Sequence, residues 1–362
     1  MRLYQFFEVH KESFNAGSKA VEDVFEIARR MGAKSWPIIR LHDKDLPLPR
    51  CINRLIGWVV WKIQELWLKV VFPSEVVLLI QHPLMTGRAL MCSKEGLQLI
   101  RWLRKNRKLR VITLIHDISE LRSGGRVITA DMPDSLSNVL SYSDVLIVHN
   151  EVMLDWLKKH GASNKKLVVL EIFDYLTTST YSDIDISKKN SITFAGNLRP
   201  DKCGFLKRTD EVPDVEWYLY GAKFDPSVMN GKAIHYCGCV KPDELPCHLK
   251  CGFGLVWDGD DLEGCSGEWG GYLKWNNPHK LSLYLASGLP VVTWQKAAVS
   301  GFIHRNDVGF TVENLKDLSK IMRNISNDRY REMCGNARKI SGLLRDGHYI
   351  RSAIEKALVL IT

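Results

Sequence analysis

Short apolar runs rich in β-branched residues recur along the chain, and stretches with helical spacing separate them. This alternation is typical of parallel α/β construction, because the strands of a parallel sheet are buried on both faces. Helices are predicted in the first half at Lys19–Met31, Lys94–Lys105 and Glu151–His160. Strands are predicted there at Leu3–Val9, Trp36–Leu41, Val76–Gln81, Val111–His116, Val145–His149 and Leu167–Ile172.

A polar segment, Thr177–Asn190, interrupts this series and carries few large apolar side chains, so we interpret it as a linker between domains. The pattern predicts a first Rossmann-like domain at 1–176, the linker at 177–190, a second Rossmann-like domain at 191–340 and a last segment at 341–362. Within that last segment, Tyr349–Ile361 has helical spacing. The strands predicted in the second domain are Ile192–Ala195, Trp217–Tyr220, Ile234–Cys237, Gly254–Trp257, Val291–Thr293 and Gly309–Val312.

Bulk composition fits a globular protein of this organisation. The 362 residues are too many for one ordinary domain, and 45% hydrophobic with 25% charged residues is a globular balance. No apolar run is long enough to span a bilayer, and the N-terminal segment lacks signal-peptide features. The 9 cysteines have irregular spacing. We therefore expect free thiols and a cytoplasmic location.

The net charge of +9 suits an anionic ligand or an anionic membrane surface. No nucleic-acid-binding module accompanies it, so no nucleic-acid partner is expected. The basic run Arg101–Arg110 is interpreted as the exposed end of a helix that leads into a strand.

The tryptophan-rich segment Cys51–Phe72 leaves two interpretations open. It is either a helix in a membrane interface or a helix packed on a sheet or on another subunit. The second is preferred, because exposed tryptophans are costly without a use. A homo-oligomer is therefore expected, with peripheral contact at the inner face of a membrane as the alternative.

The most informative segment is Trp275–Trp294, which predicts a helix running directly into a buried strand. Asn277 is expected to cap the helix, Pro278 suits its first position and Gly288 suits its end. Lys280 falls in the first turn, where the helix dipole disfavours a cation unless an anion offsets it. The segment therefore predicts a phosphate site, with a solvated lysine as the alternative.

The string P-x-K-L-x-x-Y-L-A-x-G-x-P-V-V, together with GLVWDGDDLEGCSGE upstream, resembles the donor-nucleotide segment of GT-B glycosyltransferases. Across Gly254–Gly309 it is similar to the bacterial glucosyltransferases that extend O-linked N-acetylglucosamine on serine-rich adhesins, and to related galactofuranosyltransferases. The resemblance implies a GT-B fold, in which two Rossmann-like domains face a cleft and the last helix returns to the first domain.

The activity implied by the resemblance is transfer of a hexose, preferably glucose, from a UDP-sugar to a sugar on a glycoprotein or glycan acceptor. A galactofuranosyltransferase of surface polysaccharide synthesis is the alternative enzyme. A non-catalytic GT-B-like subunit that binds glycan or chaperones a partner is the alternative of another class. A nucleotide-sugar epimerase shares the architecture, but we find no acidic pair to assign to it.

Strand ends of the second domain carry candidate ligand contacts, since ligands bind at the carboxyl ends of parallel strands. Arg199 can clamp a diphosphate bidentately, and Tyr220 can stack on a base or bond a ribose. The resemblance assigns both residues, with Lys280, to UDP. The full set expected at the donor is Gly17, Ser18, Asn197, Arg199, Tyr220, Asn276, Asn277, His279 and Lys280.

In the first domain, the small-residue loop Asn15–Lys19 opens the first long helix and suits contact with a sugar or phosphate. His82 and the pair His116 and Asp117 follow predicted strands and can act as a base or bind acceptor hydroxyls. A structural histidine is the alternative for each. We assign His82 and Asp117 to the acceptor, and Lys280, Arg199 and His116 to catalysis.

Two motifs look like metal sites, but we expect neither a cofactor nor a catalytic metal. Asp258-Gly259-Asp260 resembles the D-x-D motif of a different glycosyltransferase fold, whereas in GT-B enzymes helix dipoles and basic side chains neutralise the diphosphate. The second motif lacks the spacing of a zinc knuckle, so buried thiols are expected there. It consists of His235, Cys237, Cys239, Cys247 and Cys251.

One departure from the GT-B pattern affects the donor site. Many retaining GT-B enzymes carry two glutamates seven residues apart, and the matching positions here are Asn276 and Leu283. Recognition of the donor sugar is therefore expected from Asn276, Asn277 and His279. Both stereochemical outcomes stay open: retention lets the departing phosphate accept the proton, whereas inversion requires His82, His116 or Asp117.

Overall fold

The structure is a computed structural model that describes residues 2–8, 16–39, 47–83, 94–122, 135–181, 183–229 and 233–361. One sheet contains β1 (Leu3–Glu8), β2 (Lys34–Ile38), β3 (Glu75–His82), β4 (Lys108–Ile115), β5 (Val145–Val148) and β6 (Lys166–Val169). The other contains β7 (Ser191–Ala195), β8 (Glu216–Tyr220), β9 (Ile234–Tyr236), β10 (Phe253–Val256), β11 (Val291–Trp294) and β12 (Gly309–Val312).

All strand pairs are parallel, in the orders β2-β1-β3-β4-β5-β6 and β12-β11-β10-β7-β8-β9. The predicted architecture of two Rossmann-like α/β domains is therefore confirmed. Helices of the first domain are α1 (Ala16–Arg30), α2 (Arg50–Val71), α3 (Lys94–Asn106), α4 (Ser119–Arg122), α5 (Leu136–Tyr142) and α6 (Glu151–Leu157). Those that follow are α7 (Gly267–Tyr272), α8 (His279–Ala286), α9 (Ser300–Asn306), α10 (Leu318–Asn324), α11 (Asn327–Asp346) and α12 (His348–Ile361).

Predicted and observed strands agree within a few residues, and two differences, one in a strand and one in a helix, have a clear cause. β4 begins at Lys108 because that residue pairs with Glu75, so the basic run ends inside a strand. The helix predicted to reach His160 stops at Leu157 because Gly161 adopts a φ of 104°, which interrupts the helix. Arg40 and Leu41, predicted in β2, lie outside the described residues.

The packing of α8 on the second sheet fixes the helix end that faces the first domain. The ring of Tyr284 lies directly over β10 at Gly254, where a Cβ would be 2.2 Å from the ring. The Tyr284 hydroxyl accepts a hydrogen bond of 2.8 Å from the backbone N–H of Ala195 at the end of β7. Only glycine permits this contact, which positions the first turn of α8 beside the carboxyl ends of β7 and β10.

The chain crosses between the two domains twice, and the two crossings lie side by side. The first follows β6, and the second lies at Gly347 between α11 and α12, which packs on β4, β5, β6 and α1. The carboxylate of Asp174 in the first crossing accepts hydrogen bonds from the N–H groups of Tyr349 (3.2 Å) and Ile350 (2.6 Å). Both crossings are thus held in one hydrogen-bonded unit. Among the described helices, none is both long and apolar enough to cross a membrane.

Candidate functional site

Asn277 joins the facing edges of the two sheets. Its N–H donates to Nδ1 of His149 (2.9 Å), and its side-chain amide donates to the carbonyls of His149 (2.6 Å) and Glu171 (2.8 Å). Its side-chain oxygen accepts from Asn150 (2.8 Å). The prediction that Asn277 caps α8 is wrong, because Pro278 occupies the cap position and the Asn277 side chain is satisfied by the first domain. These bonds occupy the side-chain amide of Asn277, the group that the sequence predicts at the donor sugar.

Lys280 extends from the first turn of α8 to the ends of β7 and β10. Its ammonium lies 2.8 Å from a carboxylate oxygen of Asp258, 3.3 Å from the carbonyl of Trp257 and 4.1 Å from the centroid of the Phe194 ring. Gly196 makes room for it, since a Cβ there would lie 3.3 Å from Cε of Lys280. The predicted phosphate lysine is therefore not a freely solvated side chain.

Three cations surround the ring of Trp269 in α7, and we call Arg122, Arg199 and Lys202 the basic cluster. Their charged groups lie 5.4, 5.9 and 4.8 Å respectively from the ring centroid. Arg122 belongs to the first domain and the other two to the loop after β7, so the cluster spans the cleft. Sequence reasoning identified Arg199 alone, although Lys202 lies three residues beyond it in the same loop.

Lys202 is the member of the cluster that has no carboxylate counterpart. Burial lowers its pKa, and the positive charges of Lys280 and Arg122 lower it further, against the opposing effect of Asp258. No ion pair formed between described residues includes Lys202. An ammonium in this position is stabilised by a bound anion.

Arg199 differs, because its guanidinium is already paired. It donates to both carboxylate oxygens of Asp201, at 2.6 and 2.5 Å, and 40% of its side chain is exposed. Asn197 is exposed, and its side-chain oxygen accepts a bond of 3.3 Å from the N–H of Arg199. The Tyr220 hydroxyl donates to the carbonyl of His248 (3.0 Å), and its backbone carbonyl accepts from the N–H of Gly196 (2.9 Å).

Asp117 brings a carboxyl group from the first domain to the same side of the cleft. It lies 3.5 Å from Arg122 and accepts a hydrogen bond from the hydroxyl of Tyr272 in α7. Burial raises the pKa of the Asp117 carboxyl above its usual value, which makes its carboxylate a stronger proton acceptor.

Two neighbours of Lys280 bury polar atoms that receive no hydrogen bond from any residue the structure describes. They are the side-chain oxygen of Asn276 and both ring nitrogens of His279. The His279 ring lies 5.6 Å from Phe173 and 5.8 Å from Tyr175, and burial lowers its pKa to about 3. An unsatisfied buried polar atom costs about 1–3 kcal/mol, so these atoms suit a ligand that supplies hydroxyl groups.

The two histidines expected at the acceptor are both buried. His82 is 1% exposed, with Nδ1 3.3 Å from the Tyr142 hydroxyl. Its position inside the core does not support acceptor contact. His116 donates to Gln81 (2.7 Å) and stacks on Phe173 at the cleft floor, with a centroid distance of 5.2 Å. Burial holds the pKa of His116 well below its usual value.

The loop predicted at Asn15–Lys19 forms the start of α1, where the backbones of Gly17 and Ser18 are helical. Asn15 lies outside the described residues. Lys19 is buried and donates to Asp23 (2.5 Å) and to the carbonyl of Leu176 (2.6 Å), and it pairs with Asp243 (2.9 Å). The start of α1 is therefore anchored to the second domain.

No group of three or more metal-ligating side chains comes together among the described residues. Asp258 of the D-x-D-like motif is engaged by Lys280. The expectation of buried thiols is wrong for the second motif, because Cys237 and Cys239 are exposed and Cys247 and Cys251 are partly exposed. Cys237 directly follows β9, which is an edge strand, and this accounts for its exposure.

A cavity of about 1230 Å³ also opens between the domains, lined in part by Asn150, Asn277 and Ser300. Neither Lys280 nor any member of the basic cluster lines it. We therefore locate the candidate site by its charged groups rather than by this cavity.

Residues 4–172 match the model described as "Glucosyltransferase 3-like, N-terminal domain", and residues 192–357 match its C-terminal domain model. Beta-1,6-galactofuranosyltransferase WbbI of Escherichia coli is 36% identical over 69% of this chain and 72% of its own length. Glucosyltransferase 3 of Streptococcus gordonii is 27% identical over 69% and 71%. Sucrose-phosphate synthase from Thermosynechococcus elongatus superposes with a TM-score of 0.63 at 10% identity, covering 99% of this chain and 98% of that one. This likeness supports the GT-B fold.

Proposed function

The chain belongs to the glucosyltransferase 3-like family of glycosyltransferases, and on that premise we propose that it transfers a hexosyl group from a UDP-sugar to a sugar acceptor. The observation that supports this best is Lys202, a half-buried ammonium that forms no ion pair with any described carboxylate and whose charge is opposed by that of Lys280. Two ammonium groups at the ends of parallel strands suit a diphosphate.

In this proposal the reaction depends on charge stabilisation at the leaving group. Negative charge develops on the UDP diphosphate as the glycosidic bond breaks, and Lys202 and Lys280 lie where they can stabilise it. Arg199 joins them if the diphosphate displaces Asp201. No catalytic metal is required, because the two ammonium groups and the N-terminus of α8 provide the positive charge.

The unsatisfied atoms of Asn276 and His279 are proposed to contact hydroxyls of the donor sugar, since they adjoin Lys280 along the chain. The acceptor enters from the first domain, where Asp117 lies between Arg122 and Tyr272. If configuration is inverted, Asp117 is the candidate base. If it is retained, the departing phosphate accepts the acceptor proton.

Glucose and galactofuranose are the two candidate donor sugars. Glucose follows from the family description, and galactofuranose is supported by the 36% identity to a galactofuranosyltransferase against 27% to a glucosyltransferase. Both proposals share the UDP site and differ only in the sugar and its acceptor. A glycan carried by protein suits the first, and a glycan of surface polysaccharide suits the second.

The test is incubation with UDP-glucose, UDP-galactopyranose and UDP-galactofuranose, with and without a chelator, while UDP release is followed. Release from one sugar in preference to the others, unchanged by chelation, supports the proposal. Loss of activity on chelation that magnesium or manganese restores would give the Asp258 motif a metal role. The absence of both turnover and UDP binding would favour the non-catalytic subunit.

A further inference from the structure

Helix α2 presents an apolar face that no described part of the chain covers. Its buried side consists of Asn53, Glu65 and Leu68, which pack toward the first sheet. On the opposite side, Ile63 is 64% exposed and Leu66 is 66% exposed. Only the buried side of the predicted Cys51–Phe72 helix therefore packs on the sheet.

The exposed face is large and contains aromatic residues. Trp58 and Trp67 are 54% and 43% exposed, and Leu55, Ile63, Leu66 and Val70 exceed those values. Together these side chains present surface on the order of 700 Å², more than the ~300–600 Å² of the largest patch on a typical monomer. A surface of this size indicates a partner.

Basic residues border this apolar face. Across the described residues from 50 to 110 the sequence has 11 lysines and arginines against 3 glutamates. One of the glutamates, Glu65, is buried and already paired with Lys62 (2.8 Å) and Lys69 (2.6 Å). Arg104 and Lys108 are also paired, with Asp144 and Glu75 respectively, and the remaining lysines and arginines leave this part of the chain with a net positive charge.

Helix α3 supplies four of these eleven basic residues and lies against the end of α2. The Arg107 guanidinium donates to the carbonyls of Lys69 (3.0 Å) and Phe72 (3.2 Å). Lys69 lies 5.3 Å from the centroid of the Trp102 ring of α3. Arg101 and Lys105 of α3 are exposed. The apolar face and its basic border thus form one continuous surface.

We propose that this surface docks on an anionic lipid bilayer, with α2 lying in the plane of the interface. An apolar face with tryptophans and a basic border is the pattern of interfacial helices, because anionic lipids attract the lysine and arginine side chains beside such a face. A second copy of the chain fits less well, because a symmetric dimer brings two cationic borders together.

The docked orientation places the cleft beside the membrane. A crossover helix runs antiparallel to the strands it connects, so α2 begins at the carboxyl-edge side of the first sheet, which faces the second domain. Arg50 and Ile52 therefore lie at the end of α2 closer to the cleft. This inference does not depend on the proposed donor or acceptor.

The experiment is sedimentation of the full chain with vesicles of phosphatidylcholine alone and with phosphatidylglycerol added in equal part. We expect strong binding to the anionic vesicles and weakening by added salt. The variant L55Q/I63Q/L66Q should lose more than roughly tenfold in binding. R101E/K105E should lose binding to anionic vesicles only. The matched control is L343Q/V359Q/L360Q, which changes three exposed apolar residues of α11 and α12 and should bind as the unsubstituted chain does.

UDP binding by each variant checks that the fold and donor site are intact, and light scattering reports the oligomeric state. No binding of the unsubstituted chain to anionic vesicles overturns the proposal. Equal binding by L55Q/I63Q/L66Q also overturns it. A dimer that this variant dissociates, without vesicle binding, assigns the surface to a second copy instead.

Discussion

The Lys280 ammonium and the Asp258 carboxylate lie 2.8 Å apart, and these side chains are only 12% and 11% exposed. The pair links the first turn of α8 to the loop after β10 and holds the ammonium beside the end of β7. A phosphate that binds there approaches a cation that is already oriented. Removing one member of such a pair leaves the other charge buried, so affinity and stability must be measured separately.

We expect Lys280→Ala to reduce UDP affinity by more than roughly tenfold, because a charge-assisted contact contributes about 1.5–3 kcal/mol. The double variant K280A/D258N separates this effect from damage to the fold, since it also removes the buried carboxylate charge. Its affinity for UDP should stay low while its unfolding free energy recovers. Calorimetric titration and urea denaturation measure the two quantities. Affinity equal to that of the unsubstituted chain in either variant would remove Lys280 from the donor site.

We expect Lys202→Ala to reduce UDP affinity by a similar factor with little loss of stability, because Lys202 forms no ion pair within the described part of the chain. Lys320→Ala is the matched control, since Lys320 is exposed on α10. The depressed pKa of Lys202 adds a second readout. A bound diphosphate should raise that pKa, so UDP binding at alkaline pH, just below the ordinary lysine pKa of about 10.4, should take up protons. Calorimetry in buffers of different ionisation enthalpy detects the uptake, which should vanish in the variant.

Substitution of Asn277 by aspartate distinguishes its two roles. Aspartate is as good a helix cap as asparagine, so a cap role predicts a neutral change. The observed bonds predict destabilisation by at least about 2 kcal/mol, because a carboxylate would face the carbonyls of His149 and Glu171. Urea denaturation decides between them, and an unchanged midpoint would contradict the interdomain role.

Buried histidines make stability depend on pH. The pKa of His149 is lowered to about 4 and that of His279 to about 3, in both cases mainly by burial. Between these values and the unfolded value of about 6.5, the unfolded chain binds protons that the native chain does not. The free energy of unfolding should therefore fall as pH decreases through that window. Denaturation series should show a smaller decrease for His279→Leu and an unchanged one for His304→Gln, which alters an exposed histidine.

Acceptor recognition is predicted to depend on the first domain. His116→Ala should depress transfer while leaving UDP affinity within a few-fold, a difference of about 1 kcal/mol or less. Steady-state kinetics with varied acceptor, together with UDP titration, measure the two effects. Poor UDP binding with normal transfer at saturating donor would assign His116 to the donor side instead.

The sequence predicts the fold well because parallel sheets impose continuous apolar runs. β12, for example, has the predicted bounds of Gly309–Val312, and α12 begins one residue before its prediction. Such runs are local in sequence, so they can be recognised without knowledge of the tertiary contacts. The early end of α6 depends on the backbone conformation of Gly161, which the hydrophobic periodicity of the sequence does not predict.

The site was harder to predict because its residues acquire their environment from contacts distant in sequence. Asparagine is a favoured helix cap, but the hydrogen-bond partners of Asn277 are His149 and Glu171, more than a hundred residues away in sequence. Lys202 is distinguished by Trp269, which lies far along the chain in the same domain, and by Arg122, which approaches the Trp269 ring from across the cleft. A strand-end histidine such as His82 looks the same in sequence whether it faces a cleft or the core.

The bonded pair of chain crossings limits how the two domains can move. Asp174 joins the first crossing to the start of α12, and the N–H of Tyr175 donates to the carbonyl of Leu344 (3.3 Å). Because the two connections are adjacent and hydrogen-bonded to each other, they form a hinge with a single axis. Rotation of one domain about that axis is far easier than translation or twisting of that domain relative to the other. Opening of the cleft therefore swings the edge farthest from residues 174 and 347 through the largest arc. Ligand exchange should proceed at that far edge, while separation at the axis itself stays small.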